Sequence, residues 1–162
     1  MAQLLAVAAV IAITVVALGG VTAKYPNAGV GCLAFPLCGA NPDVPASAVA
    51  VQWAHRLAAY AYAFYMIALA TWSLQRRELE SRPVLTAIRV AVGLVVLQVL
   101  IAGAMIGMKL PPVLRSAHEA TGVAIWLTTF VAAYLAHRAA AVGETEPAAA
   151  SSGPLSTATV RA

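Results

Sequence analysis

The stretch VQWAHRLAAYAYAFYMIALATWSL, residues 51–74, decides the fold of this 162-residue chain. Its residues 57–74 have no ionisable group apart from three tyrosine hydroxyls. An α-helix rises about 1.5 Å per residue, so about 20 such residues cross the roughly 30 Å of hydrocarbon in a bilayer. The stretch therefore predicts a membrane-spanning helix with His55 and Arg56 near one of its ends.

The whole chain has the same apolar character, since 62% of its residues are apolar and only 10% are charged. A soluble domain is about half apolar and a quarter charged. We predict an all-α integral membrane protein, a bundle of four transmembrane helices at about residues 4–22, 46–74, 86–108 and 112–137. Its first partner is then the lipid bilayer. The 10 basic residues are scattered singly, a pattern that does not indicate nucleic-acid binding.

The basic residues also predict the orientation of the helices. Arg76, Arg77, Arg82 and Arg89 lie in the link between the second and third helices, and short basic loops stay in the cytoplasm. Both termini are then cytoplasmic, and the loop at residues 23–45 lies on the outer side. Because no transit peptide is recognisable, we expect the plasma membrane of a prokaryote.

The composition changes after residue 137 to Gly, Glu, Pro, Ala, Ser and Thr, as in GETEPAAASSGPLSTATVRA at residues 143–162. Such a sequence has too little apolar surface to offset the entropy lost on ordering. We therefore predict a membrane domain at residues 1–137 and a disordered cytoplasmic tail at residues 138–162.

His55 and His118 are the most informative residues. Each lies about two turns into a helix that enters from the predicted outer side, so the two imidazoles are expected at similar depth. Ionisable groups inside a membrane helix are costly and usually mark a function. Two facing imidazoles are the axial ligands of a b-type heme, and we predict that this pair binds heme iron. The alternative is that each histidine is an interfacial residue that reaches the head groups.

Two arginines lie close to these histidines along the chain. Arg56 follows His55, and Arg115 is about one turn before His118, where heme propionates would be expected. A guanidinium group pairs with a carboxylate through charge-assisted, often bidentate hydrogen bonds. We predict that both arginines contribute to cofactor binding, although either could be a simple membrane anchor. Gly122, four residues after His118, is small enough for a flat macrocycle to approach.

Cys32 and Cys38 are the only cysteines and lie in the loop of residues 23–45. On the oxidising outer side a disulfide is the expected state. Its main interpretation is a loop staple, and a redox-active pair is the alternative. Without further thiolates nearby, the pair does not predict a zinc site.

The third helix carries an amide, Gln98, near its middle. Its Gly103 and Gly107 form a small-xxx-small face that favours close helix packing. Tyr62, two turns beyond His55 on the same helical face, is placed to line a pocket.

Four elements, taken in order, resemble the heme A synthases, membrane enzymes of cytochrome oxidase assembly. They are ALGGVTAK at residues 17–24, GCLAFPLCG at 31–39, VQWAHR at 51–56 and RSAHEATG at 115–122. The resemblance extends over about residues 14–137. Most members have eight helices in two halves, and this chain looks like the compact, four-helix form.

The resemblance implies oxidation of the C8 methyl of heme O to the formyl group of heme A, with His55 and His118 as catalytic ligands of the substrate heme. Heme B is a further candidate occupant. The Cys32 and Cys38 disulfide is implied to assist heme handling. The expected partners are an electron donor of unknown identity, a heme O synthase and other cytochrome oxidase assembly factors, and a second copy of this chain in a homo-oligomer.

Gln52 departs from the family pattern, in which the catalytic half has a Glu three residues before the first histidine. An amide at this position forms hydrogen bonds but does not take up a proton. The first hypothesis is a heme A synthase in which Gln52 occupies the catalytic position. Two alternative functions stay open. One is a non-catalytic b-type heme protein or assembly factor. The other is a thiol-disulfide membrane oxidoreductase that works through the cysteine pair.

Overall fold

The computed structural model of the chain describes residues 1–78 and 80–151. It contains four long α-helices, which are α1 (Ala2–Lys24), α2 (Ala46–Gln75), α3 (Arg82–Gly107) and α4 (Pro112–Ser151). A short 3-10 helix at Ala28–Val30 lies in the loop between α1 and α2. All four long helices are long and apolar enough to cross a membrane. The predicted all-α fold with four spans is thus confirmed, and the orientation in the membrane stays a prediction.

Two helix ends differ from the predicted ones by more than two residues. α3 begins at Arg82, because arginine side chains at a helix end can reach the head groups and a proline in the first turn suits a helix start. α4 continues beyond residue 137 to Ser151, where alanine, the residue with the highest helix propensity, is frequent. The predicted tail therefore begins within a helix, and its residues 152–162 lie outside the described residues.

Many large apolar side chains lie on the surface of the bundle, and small ones are frequent at its helix contacts. Large side chains such as Val10, Leu57 and Leu100 are exposed, whereas α1 buries mainly the small Ala8 and Ala12. Small residues let helix backbones approach closely, and in a membrane close packing rather than water exclusion holds helices together. This distribution is what a bundle in contact with lipid requires.

The helices form a ring in which α2 and α4 are diagonally opposite. α4 packs along both α1 and α3, while α2 packs mainly on α1 and more loosely on α3. No close backbone approach joins α2 and α4 in the described part of the chain. Their inward-facing side chains therefore meet across the centre of the bundle.

The core is filled at one end and in the middle. We call the end with residues 76–81 the arginine end, and the end with residues 25–45 and 108–111 the cysteine end. The apolar cluster at the arginine end consists of Leu5, Leu69, Val84, Ile88, Ala132, Ala133 and Ala136. The middle cluster consists of Ala8, Ala12, Tyr62, Met66, Ala91, Val95 and Ile125.

A polar pair links α2 to α4 in the middle of the bundle. The Tyr62 hydroxyl and Thr129 Oγ1 are 2.7 Å apart, and Thr129 Oγ1 donates to the Ile125 carbonyl at 2.7 Å. Because the single hydroxyl proton of Thr129 is used on Ile125, Tyr62 is the donor to Thr129. This bond closes the bundle on the arginine side of the histidines.

The substitution Met66→Ala should destabilise the bundle because the Met66 side chain is 0% exposed. Loss of a buried methionine side chain typically costs about 2–5 kcal/mol. We expect a lower unfolding temperature in detergent, measured by circular dichroism. Phe64→Ala on the same helix is the control, since Phe64 is 73% exposed. Equal effects of the two substitutions would contradict the described packing.

Candidate functional site

His55 and His118 face each other across the bundle, which confirms that they are close in space. Their ring centroids are 6.4 Å apart, and the ring planes are inclined at 78°. His55 comes from α2 and His118 from α4, the two diagonal helices. We call these residues the histidine pair.

The His55 ring lies directly on the backbone of α1. A Cβ atom at Gly19 would be 3.1 Å from His55 Cε1. The imidazole also forms a hydrogen bond with the backbone of Val15. Since the Val15 N–H lies within the α1 hydrogen-bond ladder, the partner is the Val15 carbonyl, and His55 is the donor. Gly19, one turn after Val15, leaves this carbonyl accessible.

His118 is held by a side chain of α3. Gln98 Nε2 donates to the His118 carbonyl at 3.0 Å and lies 3.3 Å from His118 Nε2. A Cβ atom at Gly122 would be 3.5 Å from Gln98 Nε2. Gly122 therefore lies beside the amide of Gln98.

The buried polar atoms that lack a hydrogen bond all belong to residues around the histidine pair. In the part of the chain that the structure describes, they are Gln52 Oε1, His55 Nδ1, Arg56 Nη2, Gln98 Oε1 and His118 Nδ1. Buried polar groups in native proteins are nearly always hydrogen-bonded, so each exception requires a reason. Bound water molecules or a polar or metal-containing ligand at this place would satisfy these five atoms.

The geometry of the pair fits a metal between two imidazoles. A metal–nitrogen bond is about 2 Å and the ring centre lies about 1 Å further, so two opposed imidazoles on one iron have centroids about 6 Å apart. The observed spacing is 6.4 Å. No cluster of three or more His, Cys, Asp or Glu side chains suited to a metal occurs among the described residues. A metal that brings its own equatorial ligands, as heme iron does, therefore suits this pair better than a bare ion.

Arg56 is buried and connects the site to the loop between α1 and α2. Its Nη1 donates to the Ala34 carbonyl at 2.6 Å and to the Leu37 carbonyl at 3.2 Å. One turn further along α2, the Tyr60 hydroxyl donates to the Pro36 carbonyl. Arg56 thus holds the loop through Nη1, and its buried Nη2 has no hydrogen-bond partner. The contact of Arg56 with a heme propionate stays a prediction, and its bonds to the loop were not predicted from the sequence.

The expected disulfide is present and closes this part of the loop. Cys32 is bonded to Cys38, and the N–H groups of Leu33 and Ala34 donate to the carbonyls of Gly39 and Cys38. A Cβ atom at Gly103 of α3 would be 3.5 Å from the Phe35 ring, so Gly103 faces the loop. A groove of about 740 Å³ between loop and α3 is lined by residues that include Cys32, Phe35, Ile106 and Lys109.

The other predicted site residues lie at the same end of the bundle. Gln52 is buried one turn before His55 on α2. Arg115 is exposed on α4, one turn before His118. No role in the site was predicted for Gln98 or Gly19. An uncharged amide in the middle of an apolar helix was the available signal for Gln98, but only the packing of α3 on α4 reveals its partner.

Comparison with known proteins gives one informative similarity. No protein-family model matches the chain, and no solved structure matches it. The chain is 31% identical over 137 residues to the protoheme IX farnesyltransferase of Haloarcula marismortui. The match includes 84% of this chain but only 28% of the relative. The chain thus spans less than a third of that relative's length.

Arg56→Met keeps most of the side-chain stem but removes the two hydrogen bonds to the loop carbonyls. Hydrogen bonds to charged groups contribute about 1.5–3 kcal/mol each, so the loop should open more often. We expect dithiothreitol to reduce the Cys32–Cys38 disulfide at least about tenfold faster, measured by alkylation and mass spectrometry. Tyr134→Phe, an exposed position on α4, is the control. An unchanged reduction rate in Arg56→Met would show that Arg56 does not hold the loop.

Proposed function

We propose that this chain binds heme between His55 and His118 and acts as a heme A synthase, which converts the C8 methyl of heme O to the formyl group of heme A. The observation that carries the proposal is the histidine pair itself. Its rings have the spacing of two trans ligands on one metal. They also lie within the cluster that contains the unpartnered buried polar atoms of the described chain.

The residues around the pair fit such a group. His55 and His118 would be the axial ligands, and Arg56 Nη2, buried and without a partner, would pair with a propionate. Arg115 lies at the same end and is accessible to a second carboxylate. When bound, the heme would supply both the iron and the methyl group that is oxidised. The protein would fix its orientation and exclude bulk water from it.

The similarity to the farnesyltransferase supports this function. That relative is named for transfer of a farnesyl group to protoheme IX, and heme O is a farnesylated heme. A shared ancestry over 84% of this chain is consistent with a domain that handles the same class of molecule. The chain covers only a fraction of the relative, so the shared property that we infer is heme handling rather than prenyl transfer.

Gln52 limits the chemistry that the chain can perform by itself. Conversion of a methyl to a formyl group adds one oxygen atom from water and releases four protons and four electrons. Gln52 Oε1 is buried without a partner, so it can accept a hydrogen bond from a substrate or a water molecule but does not act as a base. The four electrons would pass to an electron acceptor outside this chain, and the released protons would go to water.

The partners and location follow from the same proposal. The cysteine end would lie on the outer side of a prokaryotic plasma membrane, and the arginine end would face the cytoplasm. A heme O synthase would supply the substrate, and cytochrome oxidase assembly factors would take the product. Since family members usually contain two four-helix halves, a second copy of this chain would supply the other half in a homo-oligomer.

A non-catalytic b-type heme protein is the second candidate, and Gln52 is the observation that favours it. Such a protein would use the same ligands without oxidising the macrocycle. The thiol-disulfide alternative is weaker, because such enzymes need a second cysteine pair to relay electrons and the chain has only 2 cysteines.

Co-expression with a heme O synthase, followed by extraction and chromatography of the hemes, tests the proposal. We expect heme A or its hydroxylated intermediate with the natural chain and with His137→Ala, which changes an exposed histidine of α4 near the arginine end of the bundle. His55→Ala and His118→Ala should abolish the product and the low-spin absorption spectrum. Bound heme with only heme B and heme O in the extract would support the second candidate. Absence of a Soret band and of a pyridine hemochrome would reject both heme functions.

Gly19→Val should weaken heme binding because its side chain would enter the space of the His55 ring. At Gly20 a Cβ atom would meet nothing within 4 Å, so Gly20→Val is the matched control. Titration with hemin, followed by Soret absorbance, should show at least about a tenfold weaker affinity for Gly19→Val, the cost of about one displaced contact. Equal affinities of the two variants would mean that His55 is not a ligand in the position described.

A further inference from the structure

The two imidazoles of the histidine pair are held in chemically different ways. His55 donates to the Val15 carbonyl, an acceptor without any proton to give. His118 instead faces the amide nitrogen of Gln98, which lies 3.3 Å from its Nε2. An amide nitrogen is a donor only. Nε2 of His118 is therefore the acceptor in this contact.

This difference determines which nitrogen of each ring has a free lone pair. A neutral imidazole has one N–H and one lone pair. In His118 the lone pair on Nε2 is used by Gln98, so the proton is on Nδ1, a buried atom without a partner. The ring of His55 has its hydrogen bond to the Val15 backbone, and no side chain competes for its Nδ1, which has no partner. His55 is thus ready to bind a metal, whereas His118 has to leave Gln98 first.

We propose that Gln98 makes His118 the exchangeable axial ligand of the heme, with His55 as the more firmly bound ligand. This inference rests on the heme-binding function proposed above and deepens it. Both protons of the Gln98 amide are used on His118, one on its carbonyl at 3.0 Å and one on its ring. Ligation through His118 breaks the contact to the ring, and the affinity on this side decreases accordingly.

His55 has the opposite arrangement. A histidine that donates its second N–H to a carbonyl is fixed in one tautomer, and its ligand nitrogen becomes more basic. The Val15 carbonyl belongs to the rigid backbone of α1 and cannot turn. The Gln98 amide can turn and then present Oε1, now unpartnered, to an N–H on His118. The one hydrogen bond of the turned amide would replace the two that Gln98 now forms with His118, so binding of iron by His118 would still cost one hydrogen bond.

Exchangeability matters because a substrate has to enter the site and a product has to leave it. A permanent electron carrier gains nothing from a ligand that competes with a neighbouring amide. A site that processes successive heme molecules requires at least one ligand that releases readily. Gln98 is in this sense a positioning residue that acts through His118.

The test compares the full-length chain with three variants on α3, each loaded with hemin in detergent. Gln98→Leu removes the competing amide, and Gln98→Glu replaces it with an acceptor. Val95→Ala is the structural control, since Val95 is buried on the same helix and packs in the middle cluster. The loss of hemin to an excess of apomyoglobin is followed by absorbance.

We expect hemin loss about five- to tenfold slower in Gln98→Leu and Gln98→Glu than in the natural chain, the effect of about one net hydrogen bond. Val95→Ala should lose hemin at least as fast as the natural chain. Only Gln98→Glu should also lower the midpoint potential, because a carboxylate that accepts from His118 makes the ligand more electron-rich. A loss of packing alone would not slow hemin loss, and it would not lower the midpoint potential in Gln98→Glu only.

The two ligands should also differ when each is removed. His118→Ala should retain hemin as a high-spin, five-coordinate complex, whereas His55→Ala should release it. Faster hemin loss from Gln98→Leu than from the natural chain, or equal retention by the two histidine variants, would overturn the role of Gln98 while heme binding stands. A natural chain without a low-spin hemin spectrum would reject the heme site itself.

Discussion

The structure depends above all on the cost of leaving a buried polar atom without a hydrogen bond. In a membrane this cost forces the backbone into complete helices and sorts the side chains, with large apolar groups toward lipid and small ones at the helix contacts. Against that background, a cluster with five unsatisfied polar atoms is a costly feature. A ligand bound among these atoms would offset this cost, as the proposed heme would.

The sequence was sufficient for the spans and for the depth of the histidines, because length, apolarity and helical rise determine both. It did not predict which helices are neighbours, and the diagonal arrangement of α2 and α4 is what brings the two rings together. The contact of Gln98 with His118 depends on how α3 packs against α4, which local pattern does not encode. The ends of α3 and α4 differed because charge and small-residue composition mark the limits of a membrane span and not those of a helix.

Arg56 shows how one side chain can belong to two parts of the structure. Its stem is on α2, beside His55, and one of its nitrogens binds carbonyls in the ring closed by the disulfide. The loop is therefore held to the site by hydrogen bonds of α2 and kept short by a covalent bond. The loop and Arg56 are therefore coupled, so reduction of the disulfide would change the surroundings of Arg56.

The two histidines of the pair have different surroundings, which divides the four helices into two sides. α1 and α2 form the fixed side of the site, where the Val15 carbonyl holds His55 and Gly19 leaves space for its ring. α3 and α4 form the adjustable side, where an amide that can turn holds His118. α2 and α3 are also the neighbouring helices with the loosest contact. A planar molecule that entered between them would contact His55 on α2 and would compete with Gln98 of α3 for His118.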